Sequence, residues 1–173
     1  MFSINSCPVP EGSLLSTYLR DGTYADCYAT DIAKPVSHAQ FVEAFYTTGV
    51  FKVERLLLQW TVARPSTDAQ AKRLAAGTID SFAAWQVESR SENQLLLADF
   101  SARTRSWLMV APFVNGDRAN THLYFGSAVV PVKYAETGDA TLEFRFRALL
   151  GFHKLYSEVL LYAARSRLEA QNL

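Results

Sequence analysis

Residues 142–168 read LEFRFRALLGFHKLYSEVLLYAARSRL, and the spacing within this stretch decides the fold. At 3.6 residues per turn, Leu142, Phe146, Leu149, Leu150, His153, Tyr156, Leu160, Leu161, Ala164 and Leu168 fall on one broad apolar stripe. Glu143, Arg145, Arg147, Lys154, Glu158, Arg165 and Arg167 take the other face. No proline interrupts the run, and Gly151 is its weakest point, at about 1 kcal/mol relative to alanine. A helix of this length spans roughly 40 Å, longer than a small domain is wide. Almost everything between it and the short helices near the N-terminus reads as strand. The pattern predicts one long C-terminal helix laid across a curved antiparallel sheet.

Working back from that helix, residues 24–32 read as the first strand. Tyr24, Asp26, Tyr28 and Thr30 fall on one face and Ala25, Cys27 and Ala29 on the other. Pro35 stops it. Ser37 and Gln40 form a capping-box pattern, followed by a helix that buries Phe41, Ala44 and Phe45 and ends at Gly49. A second helix is expected over 51–63. Thr67 and Gln70 repeat the capping box, with Gly77 closing a more polar helix or turn. From Ser81 the period changes to two. Strands are expected over 81–89, 94–100, 103–114 and 120–132. Asn115-Gly116 is the hairpin signal between the last two, since both residues tolerate positive φ. Pro131 falls near a strand end, where a lost ladder bond matters least, and 133–140 is a polar loop. About five strands are clear. Residues 1–23, with a turn at Asp21-Gly22 and one helical turn over 13–19, form an N-terminal arm. No repeat or linker divides the chain, so 1–173 reads as a single domain.

The composition supports a large core, with 49% apolar residues, 11 Phe, 8 Tyr and 3 Trp. Seventeen basic residues balance seventeen acidic ones, so no basic field exists to recruit nucleic acid or anionic lipid. No apolar run approaches the ~18 residues of a membrane span. Residues 1–10 lack the basic and apolar regions of a signal peptide, so a cytoplasmic location is expected. Cys7 and Cys27 match no metal or redox spacing and read as free thiols. His38, His122 and His153 form no helical i, i+4 pair, and neither a metal nor a cofactor is expected. A homodimer is left open.

Several pieces together point to a known family. They are Tyr24-Ala25-Asp26 opening the first strand, Leu95-Leu96-Leu97-Ala98-Asp99-Phe100, and Arg103-Thr104-Arg105-Ser106-Trp107-Leu108-Met109-Val110. Phe146, Leu149, His153, Tyr156 and Leu160 on the final helix complete the set. Over residues 24–168 the chain resembles the START/Bet v 1-like (SRPBCC) superfamily, whose α+β helix-grip fold wraps a curved antiparallel sheet around a long C-terminal helix, with a short helix pair after the first strand. Within it the chain is similar to a bacterial domain family of unknown function, DUF2867. The first 23 residues and the insert over 65–79 lie outside the resemblance. The resemblance implies an apolar or amphipathic small-molecule ligand held between sheet and helix. For a minority of members it implies cyclisation, dehydration or hydrolysis in that place.

A site there would draw on Trp85, Arg105, Trp107, Met109, His122, Tyr124, His153 and Tyr156. Trp85, Trp107, Met109 and Phe113 are either core fillers or flat apolar walls. His122 and Tyr124 share a strand face with Gly126, Ala128 and Val130, whose small residues would make the gap; alternatively His122 sits at an exposed strand end. Arg105 is either part of a surface ion pair or a bidentate holder of a ligand carboxylate. His153, beside Tyr156 on the apolar stripe, is a neutral core histidine or a group that orients a ligand oxygen. A catalytic pair would need Asp99 with His153 or His122. No Gly-rich phosphate loop, serine elbow or Cys–His motif appears. Three classes follow: a binding module, a cyclase, dehydratase or isomerase using the same cavity, and an interaction adaptor with a vestigial pocket.

Overall fold

The computed structural model describes residues 4–21, 23–52, 66–130 and 140–171, with the side chains of residues 20, 21 and 140–153 outside that description. The protein is α+β. Among the described residues its strands are β1 (Asn5–Ser6), β2 (Tyr24–Ile32), β3 (Ser81–Phe82), β4 (Trp85–Arg90), β5 (Gln94–Asp99), β6 (Thr104–Asn115) and β7 (Arg118–Val129). They form one seven-stranded antiparallel sheet in the order β1-β2-β7-β6-β5-β4-β3. The strand expected at 24–32 is β2, residue for residue.

Two strands escape the alternation rule because they are two residues long. The single strand expected over 81–89 is a hairpin instead. Phe82 pairs with Trp85 across a two-residue turn, and Ala83 takes a φ of 52° there. A left-handed alanine carries no compositional signal, so the period-two pattern runs straight through the turn. The later hairpin is shifted by one residue. Asn115 pairs with Arg118, and the turn is Gly116-Asp117, with positive φ at Gly116 but not at Asn115. The partner strand accordingly covers 118–129 rather than 120–132. Pro131 and the polar loop before residue 140 lie outside the described residues.

Helix α1 (His38–Tyr46) starts on the expected capping box. Gln40 N–H donates to Ser37 Oγ, and Ser37 N–H donates to Gln40 Oε1 at 2.8 Å. It ends at Thr47, not at Gly49, which has no positive φ. Two hydroxyls do the terminating. Thr47 Oγ1 donates to the Glu43 carbonyl at 2.6 Å, and Thr48 Oγ1 donates to the Phe45 carbonyl and accepts from Phe51 N–H. A further helical turn begins at 49–52. The remainder of the helix expected at 51–63 lies outside the described residues. Helix α2 (Asp68–Ala75) follows its own Thr67–Gln70 capping box, and Gly77 takes a φ of 72° after it.

Helix α3 (Ala140–Ala170) is one continuous element. Of its stripe, Leu160, Leu161, Ala164 and Leu168 are buried. Arg165, expected on the solvent face, is buried too, with its guanidinium 2.7 Å from Glu169 one turn on. Lys34 Nζ donates to the Leu168 carbonyl, placing a cation at the negative end of the helix. Among the described residues no helix is long and apolar enough to cross a membrane.

Both faces of the sheet are covered. The α1/α3 face buries Tyr28, Ile32, Leu95, Leu97, Leu108, Leu123 and Phe125 against Phe41, Phe45, Leu160, Leu161 and Ala164. The opposite face buries Cys27, Leu96, Trp107, Met109 and Ala128 beneath Leu15. Leu15 belongs to a 3-10 helix (Leu14–Asp21), so the arm is a structured cover rather than a tail.

His38 opens α1 beside the Leu108 carbonyl and Arg90. Burial pushes its imidazole down to about 4, Arg90 adds to this, and Leu108 partly opposes it. An ordinary histidine titrates near 6.5 in the unfolded chain. The folded state therefore binds fewer protons between these values, and the contribution is complete above ~6.5 and lost as pH falls through ~4. The gap corresponds to about 3 kcal/mol, which solvent at the ring's exposed edge trims to about 2 kcal/mol. Unfolding free energies from urea titration at pH 7.5 and pH 4 are expected to differ by that much more in the wild type than in His38→Gln. Equal pH slopes in the two chains would remove His38 as the source.

Candidate ligand cavity

A cavity of about 300 Å³ lies on the helix-covered face. Phe45 and Phe51 line it from the α1 side, Tyr156 and Leu160 from α3, and Trp85, Thr104, Ser106, Phe125 and Ser127 from the sheet. Ala84, Asp99, Phe100 and Arg105 complete the described lining. The gap has a structural origin. Ser106 and Ser127 are register partners on β6 and β7, and two small side chains lie where Leu108 and Phe125 fill the next pair along. Their hydroxyls are held. Tyr46 Oη and Ser106 Oγ are 3.2 Å apart, and Ser127 Oγ donates to Asp26 Oδ1 at 2.5 Å. The result is an apolar space with a few fixed polar groups, the usual make-up of a small-molecule site.

Asp99 stands in the wall as a loop holder. Its Oδ1 accepts from Arg103 N–H at 2.7 Å and Thr104 N–H at 2.8 Å, and its Oδ2 accepts from Ser101 N–H and Ser101 Oγ–H. Burial pushes the carboxyl up, but these hydrogen bonds outweigh it and hold Asp99 below the usual carboxylate range. Within the loop, exposed Ala102 takes a φ of 56°. That conformation costs an L-residue about 1–2 kcal/mol, and glycine avoids it while losing more entropy on folding. Ala102→Gly is therefore expected to stabilise the protein by about 0.5–1 kcal/mol in thermal unfolding. A destabilised variant would show that the loop is unstrained.

Of the residues singled out in sequence, Trp85, Arg105, Tyr156 and Asp99 touch this cavity. Arg105 contributes between Thr104 and Ser106, but its guanidinium is engaged elsewhere. Nε lies 2.6 Å from Glu88 Oε2 and donates to Tyr18 Oη at 2.8 Å, and Nη1 donates to the Ala102 carbonyl. Trp107, Met109 and Tyr124 pack with the cluster on the opposite face, under the 3-10 helix. His122 pairs across strands with Asp31, Nδ1 to Oδ1 at 2.5 Å, and stacks on Phe113 at 3.9 Å, half-exposed. The gap expected beside Gly126 and Ala128 is filled by Leu15. Neither His38 nor His122 lines the cavity, and the His153 side chain lies outside the described residues.

The cavity residues missed in sequence are chiefly Phe45, Phe51, Thr104, Ser106, Phe125 and Ser127. On β6 the Arg105-Trp107-Met109 face looks the richer wall, yet the Thr104-Ser106-Leu108 face turns inward. Alternation separates two faces but does not say which one meets the long helix, and here both are buried. The available signal was the pair of small serines at mirrored places in adjacent strands. No protein-family model matches the chain, and no curated protein matches it in sequence.

Proposed function

We propose that this protein is a START/Bet v 1-like, helix-grip binding module that takes an apolar or amphipathic small molecule into the cavity between sheet and C-terminal helix. The observation that carries this is the cavity itself, about 300 Å³ walled by Phe45, Phe51, Trp85, Phe125 and Leu160. Trp85 Nε1–H is buried and has no partner among the described residues, which supports a ligand bearing one acceptor oxygen or nitrogen. Binding is favoured over a cyclase, dehydratase or isomerase role because Asp99, the carboxylate in the wall, spends its acceptor positions on its own loop. The existence of an open cavity likewise favours it over an adaptor with a vestigial pocket.

The test is a fluorescence titration with Nile red, a neutral apolar dye, together with native mass spectrometry of protein purified from its own host. Saturable one-site binding is expected. Thr104→Trp places a bulky ring in the cavity wall and is expected to weaken it by about tenfold or more, a change of ~1.4 kcal/mol. Dye binding that never saturates, or that ignores Thr104→Trp, would end the proposal.

A further inference from the structure

We propose that Cys7 and Cys27 are a reversible oxidation site, closing to a disulfide that fastens the N-terminal arm to β2 in the presence of a hydroperoxide. The two thiols are free, and their sulfurs lie 3.4 Å apart. The backbone has already brought them together. Asn5 and Ser6 pair with Ala29 and Tyr28, so the ladder's next step sets Cys7 opposite Cys27, and Cys7 N–H donates to the Cys27 carbonyl at 2.9 Å. Directly opposed antiparallel residues of this kind have Cα atoms about 5.5 Å apart, within the ~4.4–6.8 Å that a disulfide spans.

The surroundings assign the order of events. Cys7 is partly exposed, whereas Cys27 is 1% exposed. An oxidant therefore meets Cys7 first. The Cys7 thiolate attacks one peroxide oxygen, the O–O bond breaks, and hydroxide leaves as water after taking a proton, giving a sulfenic acid. Cys27 sulfur then attacks the Cys7 sulfur. The S–S bond forms, the S–O bond breaks, and the departing hydroxide takes the Cys27 proton. In sum, two thiols lose two electrons to one hydroperoxide. Burial pushes the Cys27 thiol up, and Cys7 itself adds to that rise.

The cross-link adds a covalent tie where the arm meets β2 through a two-residue strand and the packing of Leu15 on Cys27. It would hold in place the arm whose Leu15 covers the second face of the sheet. Thiol reductants restore the open form.

The experiment treats the full chain with a modest excess of hydrogen peroxide and reads intact mass, a non-reduced peptide map and thermal unfolding. A mass loss of about 2 Da is expected, with one peptide pair carrying Cys7 and Cys27, and recovery of both thiols in dithiothreitol. Tm is expected to rise by about 5 °C or more. Cys7→Ser, or Cys7→Ala if the serine variant folds poorly, is expected to show no such rise. Three results would overturn the site: oxygen addition at Cys7 with Cys27 still alkylated, a dimer cross-linked through Cys7, or a peroxide-induced Tm rise that persists without Cys7. The wild-type peptide map decides the question even if neither variant folds.

Discussion

Gly126→Val is expected to destabilise the protein by more than about 3 kcal/mol, and Gly126→Ala by about 1–3 kcal/mol. Gly126 sits in the middle of β7 and its backbone is ordinary, with no positive φ. The constraint is space. A Cβ at this position would stand 2.6 Å from Leu15 Cδ2, 2.9 Å from the Asp26 carbonyl oxygen and 3.0 Å from Trp107 Cε3. Leu15 is a side-chain end and can swing away. The Asp26 oxygen is backbone of the neighbouring strand, and moving it strains the β2–β7 ladder. Overpacking on this scale is therefore relieved only by lifting the 3-10 helix or parting two paired strands. Urea unfolding of the two variants measures the loss. Leu15→Ala in the Gly126→Ala background removes the shortest contact but not the second, so partial rescue is expected in the double-mutant cycle. An alanine variant within 0.5 kcal/mol or so of the wild type would show that the arm is loosely seated.

Trp107→Ala carries the other large effect, about 3–5 kcal/mol. The indole is fully buried and packs among Leu15, Leu96, Met109 and Tyr124. Its Nε1–H donates to Gln94 Oε1 at 2.9 Å, and the same oxygen accepts from Leu14 N–H at 2.9 Å. One amide oxygen thus joins β5, β6 and the 3-10 helix. Truncation leaves a void under the arm and removes one of two donors from that oxygen. Trp107→Phe keeps most of the ring and is expected to cost less than half as much. In Trp107→Ala, limited proteolysis is expected to cut within residues 4–21 before it cuts the sheet. First cleavage elsewhere, or a loss below 1 kcal/mol or so, would contradict this account of the cover.

The long helix was legible because a 3.6-residue period over many turns has no other solution. β2 and both capping boxes were legible for the same reason: each has a local signature that fixes residue types at set spacings. What could not be read were features set by contact between distant segments. The 3-10 cover has little periodicity of its own, and nothing in Leu14–Asp21 announces that it will lie over Trp107. Without that cover in view, Gly126 and Ala128 look like the floor of a void, and Trp107, Met109 and Tyr124 look like its walls. Arg105 misleads in the same way, since its partners Tyr18 and Glu88 come from elements far apart in the chain. Two-residue strands and a left-handed alanine fall below what alternation resolves.

The register of β2 on β7 also sets an order of assembly. Strands β3 to β7 are joined by short turns, so each hairpin closes soon after it is made. β2 pairs from Tyr24 with Val129 to Ile32 with Thr121, on the order of a hundred residues away along the chain. Until β7 is made, β2 therefore has only the two-residue β1 beside it, at Tyr28 and Ala29, and the edge that β7 covers stays open. Topologies of this kind fold slowly and aggregate from such intermediates. Asp26 and Asp31 interrupt that strand at two points, and charges so placed disfavour edge-to-edge aggregation of an exposed strand. The carboxylates that end up holding Ser127 and His122 are thus also the two charges that β2 carries before β7 pairs with it.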